Sequence, residues 1–393
     1  MEKRKPTRKI KVGSTFLGGD APILIQSMCA TKTIDIAATA QMSQILFEAG
    51  GGLIRIAVDN LQDAEALIEI RQRTSANLSV DLQENYKMAE IVAPFVDKIR
   101  YNPGHLHHLD PDIPWQKKVE YLAKIAQDND CALRIGVNCG SIDPLKSAQF
   151  SRDATNKVET FAKNEPQNDE LAARFDPLLA SALEHSDYLE SLGFIRFCVS
   201  IKDSDPLTVL GVNRRFSQLR PQIPLHLGVT EAGMPPLGIL KSRIALEPLL
   251  VEGIGDTLRV SLTVPNSEKI EEIRAGISIL KNVADDNIID SKSVKLPKLN
   301  IVSCPSCSRV QNSAFVELAQ KIKKATEFAQ DQPIKIAVMG CRVNGPGETD
   351  DADIGLWCGP NQVNLKDGKR LLGSWPYDQI IEKTLDLLKK KLS

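Results

Sequence analysis

From residue 23 onward, short runs of β-branched and aliphatic residues alternate with stretches of helical period. Eight of the runs read as strands, at 23–28, 53–58, 78–83, 98–103, 133–138, 197–202, 224–229 and 257–262. Helical patterns lie between them, among them 36–49, 62–73, 115–127, 177–192 and 267–281. The fourth has a start signal: Asp176 is placed to cap and Pro177 would occupy the first helical position. A strand–helix repeat over about 260 residues predicts parallel strands and a (β/α)8 TIM-type barrel. A doubly wound open sheet is the alternative, but no Gly-x-Gly-x-x-Gly follows an early strand.

The rhythm breaks twice. Residues 143–176 are polar and charged, as expected of a solvated insertion on a strand-to-helix loop; the functional alternative is a lid over the catalytic face. Residues 286–299 lose periodicity and read as a linker. The expected domains are therefore a barrel over 1–285 and a smaller α/β unit over 300–393. In that unit, 298–303, 334–339, 354–357 and 363–372 pattern as strands, with 315–329 and 377–392 as helices.

Composition narrows the class. The 393 residues are 42% hydrophobic and 25% charged, enough to bury two cores and unlike a membrane protein. A formal net charge of −1 gives no pointer to nucleic acid, and no apolar run reaches membrane-spanning length. The basic opening segment is not followed by the apolar stretch of a secretory signal. Eight cysteines are too sparse for a disulfide scaffold, so a reducing cytoplasm is the expected compartment.

Charge is more informative locally. Arg55, Arg100, Arg134, Lys202 and Arg259 each interrupt an apolar strand pattern. A buried cation must either pair with a carboxylate or face a bound anion. Among the strands Asp81 is the clear acid, so five cations point to a highly anionic, diphosphorylated small molecule. Asn102, Asn138, Ser141, His226, Glu231 and Ser261 lie at or just past strand ends, which in a barrel is the catalytic face. Glu231 is a candidate acid or base, with a helix-start carboxylate as the plainer reading. His226 alone is more often a packed imidazole. His105, His107 and His108 cluster in a loop short of other metal ligands.

The second chemical signal is Ser303-Cys304-Pro305-Ser306-Cys307, followed by Gly340-Cys341-Arg342-Val343-Asn344-Gly345-Pro346-Gly347-Glu348. Two thiols from one turn and a third from another loop suit an iron–sulfur cluster, with Glu348 as a fourth, harder ligand. Structural zinc fits the same spacing, and two buried free thiols are the bland alternative. Cys358 could supply a fourth thiolate in either metal reading.

At these residues the chain resembles the 4-hydroxy-3-methylbut-2-enyl diphosphate synthase family of bacterial, two-domain type. The likeness is carried by Gln26-Ser27-Met28, Lys98 to Gly104, Arg134 to Asn138, Leu225 to Gly233 and both cysteine motifs. Cys29 and Ile34 depart from the residues expected there, a hydroxyl and a small polar side chain. The resemblance implies reductive ring opening of 2-C-methyl-D-erythritol 2,4-cyclodiphosphate in the non-mevalonate isoprenoid pathway. It implies a [4Fe-4S] cluster on Cys304, Cys307, Cys341 and Glu348, with Cys358 not a ligand. Ferredoxin or flavodoxin would deliver electrons singly, and a homodimer would share each active site, one subunit's cluster domain capping the other's barrel. The competing function is a non-redox barrel enzyme with a structural zinc module; a pure electron carrier is a third.

Overall fold

The computed structural model describes residues 4, 6–142, 169–290, 293–341, 343 and 345–392. A short antiparallel hairpin, β1 (Ile10–Val12) and β2 (Thr15–Leu17), precedes the barrel. The barrel strands are β3 (Leu24–Met28), β4 (Leu53–Ala57), β5 (Leu78–Gln83), β6 (Lys98–Tyr101), β7 (Ala132–Asn138), β8 (Phe197–Lys202), β9 (His226–Leu227) and β10 (Thr257–Leu258). Helices α1 (Ile36–Glu48), α2 (Leu61–Arg73), α3 (Ala89–Val92), α4 (Trp115–Asp128), α5 (Asp169–Ser191), α6 (Pro206–Leu219), α7 (Leu237–Val251) and α8 (Ile270–Ala284) follow in turn. The strands pair in parallel in the order β8-β7-β6-β5-β4-β3-β10-β9, and a parallel bridge from Val199 to Leu225 closes the ring.

The amphipathic patterns explain the layering. Leu67 and Ile70 of α2, and Val119 and Leu122 of α4, are buried and pack in the same core as Ile54, Val80, Ile99 and Ile135 of the strands. Several helices are capped as their sequences suggest: Asn60 accepts from the Asp63 N–H and Asp205 from the Thr208 N–H.

Two expectations change. Helix α5 begins at Asp169, not at Pro177, which lies within it. The preceding run is rich in strong helix formers, and the missing proline N–H removes only one bond from a long helix. Strands β9 and β10 are two residues each, because the ladder ends where the chain turns off to form the barrel mouth. The segment 143–168 lies outside the described residues, and with it most of the lid question.

Beyond residues 286–299, which carry no helix or strand among those described, comes a five-stranded sheet in simple order. It consists of β11 (Asn300–Ser303), β12 (Lys335–Met339), β13 (Ile354–Cys358), β14 (Gln362–Asp367) and β15 (Arg370–Pro376). Helices α9 (Ala314–Ala325), α10 (Gly345–Asp350) and α11 (Ile380–Leu392) complete it; Phe315, Ile322, Ile380 and Leu388 join its separate core.

The small domain stands over the mouth of its own barrel. A bridge joins Ala232 to Ser303, and the Thr263 hydroxyl lies 3.0 Å from both the Ser303 and Cys304 carbonyls. Ser306 donates to the Val264 carbonyl at 2.6 Å, and Lys32 to the Ser308 carbonyl at 2.7 Å. No described helix is long and apolar enough to cross a membrane.

At the opposite end of the barrel, Ile10, Val12 and Leu17 of the hairpin pack on Leu53, Ala132 and Cys198 at strand beginnings. Lys98 starts β6 there, fully buried, donating to Gln26 Oε1 at 3.1 Å. Burial, opposed by Cys198 and reinforced by Arg134 and Arg55, brings its pKa down to about 7. An unfolded chain restores the ordinary value near about 10.4, so this group makes stability rise with pH between those two values. Lys98→Met is expected to be more stable than the parent at pH 7, with the advantage shrinking towards pH 10. Urea midpoints measured at both pH values check it.

Candidate active site at the capped barrel mouth

Each cation singled out in a strand faces the same chamber. Arg55 from β4, Arg100 from β6, Arg134 from β7, Lys202 from β8 and Arg259 just past β10 line it with Asp81, Asn138 and Ser261. The cap contributes Cys304, Pro305, Cys307, Arg309, Cys341 and Val343. The free cavity between these side chains is ≈ 80 Å³.

Carboxylates do not balance this charge. Asp81 takes Arg100 at 2.8 Å, Arg309 at 3.4 Å and Arg55 at 3.8 Å. Burial pushes Asp81 up, but Arg100, Arg55, Arg309 and Arg134 together hold it well below the usual carboxylate range. Arg259 pairs with Glu272 of α8 at 3.2 Å, and Glu272 also takes Lys269 at 2.8 Å. Arg134 is 1% exposed, yet its Nε and Nη1 have no hydrogen-bond partner. Lys202 meets the His226 ring at 3.3 Å. Burial and then the neighbouring guanidiniums push Lys202 well below the ordinary lysine value, and burial brings Arg134 down to about 10. The site is therefore built for an anion that supplies the missing negative charge.

Packing fixes these cations. A Cβ on Gly136 would sit 2.0 Å from Arg100 Nε, so only glycine lets that guanidinium cross β7 and donate to the Gly136 carbonyl at 2.8 Å.

Not every predicted residue lines the chamber. His226 sits behind Lys202, accepting from its ammonium through Nε2 and bonding Thr257 through Nδ1. Burial and Lys202 keep the imidazole neutral, so it supports the lysine. Asn102 donates to Ser141 at 2.8 Å and to Gln83 at 3.3 Å, and these three brace the rim. Glu231 is fully buried after β9 with φ of 48°, a left-handed conformation costly for a non-glycine residue. Gln83, a lining residue that sequence reasoning missed, has φ of 52°. His105 reaches Gln83 at 3.2 Å, and Glu84 joins His105 and His108 within 4.8 Å. The two rings stack at 5.0 Å.

Cys304 and Cys307 follow β11, and Cys341 follows β12, the strand paired with it in parallel, so both loops leave the same sheet edge. The Gly340 N–H donates to Cys304 Sγ at 3.2 Å. A hydrogen bond to Cys341 and burial keep the Cys304 thiol well above its ordinary pKa. Among the described residues only Glu84, His105 and His108 bring three ligand atoms within 4.8 Å of one another. Glu348, on α10, is 1% exposed, its Oε2 3.4 Å from Lys335 Nζ and its Oε1 3.5 Å from Cys139 Sγ. Cys358 is buried in the small domain's core and does not line the chamber.

Within this one chain the cap's Arg309 reaches the barrel's Asp59 at 2.7 Å and the Asp81 carbonyl at 2.9 Å.

Fold and site together define a TIM-barrel enzyme for a small polyanion, capped by a thiol-bearing α/β domain. The chain matches the GcpE TIM-barrel domain over residues 7–277 and the GcpE protein C-terminal domain over residues 300–390, and it belongs to the GcpE family. It is 54% identical over 381 residues to a Rhodopirellula baltica protein named 4-hydroxy-3-methylbut-2-en-1-yl diphosphate synthase (flavodoxin), covering 97% of this chain and 95% of that one. A protein of the same name from Acinetobacter baylyi is 37% identical over 396 residues, covering 99% and 94%. Among solved structures, Yersinia pestis dihydropteroate synthase aligns at a TM-score of 0.46 and 13% identity, covering 70% of this chain and 98% of that one.

If the lining is an anion site, removing one unpartnered charge relieves repulsion in the empty barrel and weakens the ligand. Arg134→Met is expected to be about 1–3 kcal/mol more stable than the parent without ligand. It should also lose most of the thermal protection that inorganic pyrophosphate gives the parent. Paired melting curves with and without pyrophosphate check both halves.

Proposed function

We propose that this chain is a 4-hydroxy-3-methylbut-2-enyl diphosphate synthase. It would open 2-C-methyl-D-erythritol 2,4-cyclodiphosphate reductively and dehydrate it, as an oxidoreductase of the non-mevalonate isoprenoid pathway. The observation that carries this reading is the single chamber in which barrel cations under-neutralised by acid face three cap thiols. Residues 1–285 would act as the substrate barrel, 286–299 as linker and 300–393 as the cluster domain.

A [4Fe-4S] cluster on Cys304, Cys307, Cys341 and Glu348 would supply electrons one at a time to the substrate. The protein's own residues do the rest. Arg55, Arg100, Arg134, Lys202 and Arg259 grip the diphosphate, so the ring is held with its reacting carbon towards the cap. Asn138 and Ser261 line the same wall and offer hydrogen bonds to the sugar-derived hydroxyls. Asp81 spreads its charge over several guanidiniums and keeps them fixed before substrate arrives. His226 supports Lys202 from behind, and Asn102 and Ser141 brace the rim with Gln83. Glu231 is the group proposed to give its proton to the departing hydroxyl, which leaves as water. The seam at Thr263, Ser306 and Arg309 keeps bulk water from the reacting atoms.

Flavodoxin is the proposed donor, supported by the names of the relatives, with ferredoxin as the other one-electron carrier. A homodimer that exchanged caps would repeat the same seam between two chains. A cytoplasmic setting suits a protein whose function needs free thiols.

Anaerobic purification with iron and sulfide analysis, followed by turnover of the cyclodiphosphate with a chemical reductant, tests the proposal. A colourless, zinc-bearing, inert protein would replace it with the zinc-module reading. Glu348→Ala is expected to stay brown and cluster-bearing while losing most turnover. Full activity in that variant would remove Glu348 from the ligand set.

A further inference from the structure

Glu348 does not stand alone at the domain seam. Helix α10, which carries it, nests against the turn at Cys139–Ser141 that ends β7 on the barrel's catalytic face. The fit is close: a Cβ on Gly140 would sit 2.8 Å from Glu348 Oε1, and one on Gly347 would sit 2.6 Å from the Gly140 carbonyl. In this pocket the Cys139 Sγ lies 3.5 Å from Glu348 Oε1, within the reach of a thiol donor to a carboxylate. The second oxygen, Oε2, is taken by Lys335 at 3.4 Å. Both oxygens of a carboxylate that is 1% exposed are thus met by protein donors, one from each domain.

We propose that Cys139 is a positioning residue for Glu348. Its S–H holds Oε1 when the carboxylate is off the metal, giving the freed ligand a fixed place while substrate occupies the chamber. The proposal rests on the reading of Glu348 as an exchangeable cluster ligand. Without such a resting place, a buried carboxylate released from metal has one oxygen unsatisfied and falls back onto the iron, because burying an unpaired charged oxygen is costly. Lys335 meets Oε2 at 3.4 Å, and Gly140 packs close against the other oxygen. The thiol remains covalently unchanged throughout; it donates a hydrogen bond and transfers neither proton nor electron.

The test uses the reconstituted holoenzyme and compares Cys139→Ala, Cys139→Ser and Glu348→Ala. Iron and sulfide content, the electron paramagnetic resonance spectrum of the reduced cluster with and without cyclodiphosphate, and kcat and KM are measured for each. Cys139→Ala is expected to keep the parent's iron content and KM and to lose about 3- to 10-fold in kcat, the range one hydrogen bond controls. Its substrate-induced spectral change should shrink in proportion. Cys139→Ser, which keeps a donor, should recover most of both. If Cys139→Ala matches the parent in kcat and spectrum, or if Cys139→Ser is as impaired as Cys139→Ala, the positioning role is wrong. If Glu348→Ala leaves the spectrum of the parent unchanged, the ligand reading itself fails and takes this proposal with it. If Glu348→Ala alters the spectrum and Cys139→Ala does not, only the role of Cys139 is lost.

Discussion

Positive charge buried without matching acid is the constraint around which the molecule is arranged. Among the described residues Arg134 keeps two guanidinium nitrogens without hydrogen-bond partners, and Lys202 leans on a neutral imidazole. Such an arrangement is unfavourable in isolation, since like charges in a poorly solvated space repel one another strongly. The barrel tolerates it by rigidity. Its strands are locked in register on both sides, and Glu272 and Asp81 hold the guanidiniums that are paired. A ligand with several phosphate oxygens converts that tension into affinity.

The same acid that tempers the cations also fastens the cap. Asp81 accepts from Arg309 of the small domain while it accepts from Arg100 of the barrel, so the charge balance of the site and the seating of the thiols are tied through one carboxylate. Parallel pairing of β11 with β12 then brings the two cysteine loops off neighbouring strand ends. Neither half of the chamber is complete alone: the barrel supplies the cation ring and the cap supplies the thiols.

Much of this could be read from the chain itself, and the exceptions are instructive. Cations such as Arg55 and Arg134 stand out because charge in an apolar strand is conspicuous. The Cys304 and Cys341 loops stand out because thiols at ligand spacing beside Pro and Gly are uncommon by chance. Gln83, Asp59, Glu272 and Arg309 escaped because nothing local marks them. Glu272 looks like any acid in a first helical turn until its complete burial is seen. Arg309 is a lone cation two residues past a thiol, and only the docking of two domains gives it a carboxylate. The hairpin at Ile10–Val12 and Thr15–Leu17 was missed because three-residue strands are too short to show alternation. The early start of α5 was missed because a proline was taken as a beginning when the chain already favoured helix before it.

That hairpin has a consequence for how the molecule must work. With Ile10, Val12 and Leu17 stoppering the floor of the barrel, nothing can pass straight through it. Among the described residues, the chamber's open side lies beneath the cap, and reactant, product and released water share that doorway. Contacts such as Ser306 to Val264 and Arg309 to Asp59 fasten the cap beside that doorway. The pace of traffic through that doorway, as much as the bond-breaking inside it, belongs among the things that set the tempo of the whole machine.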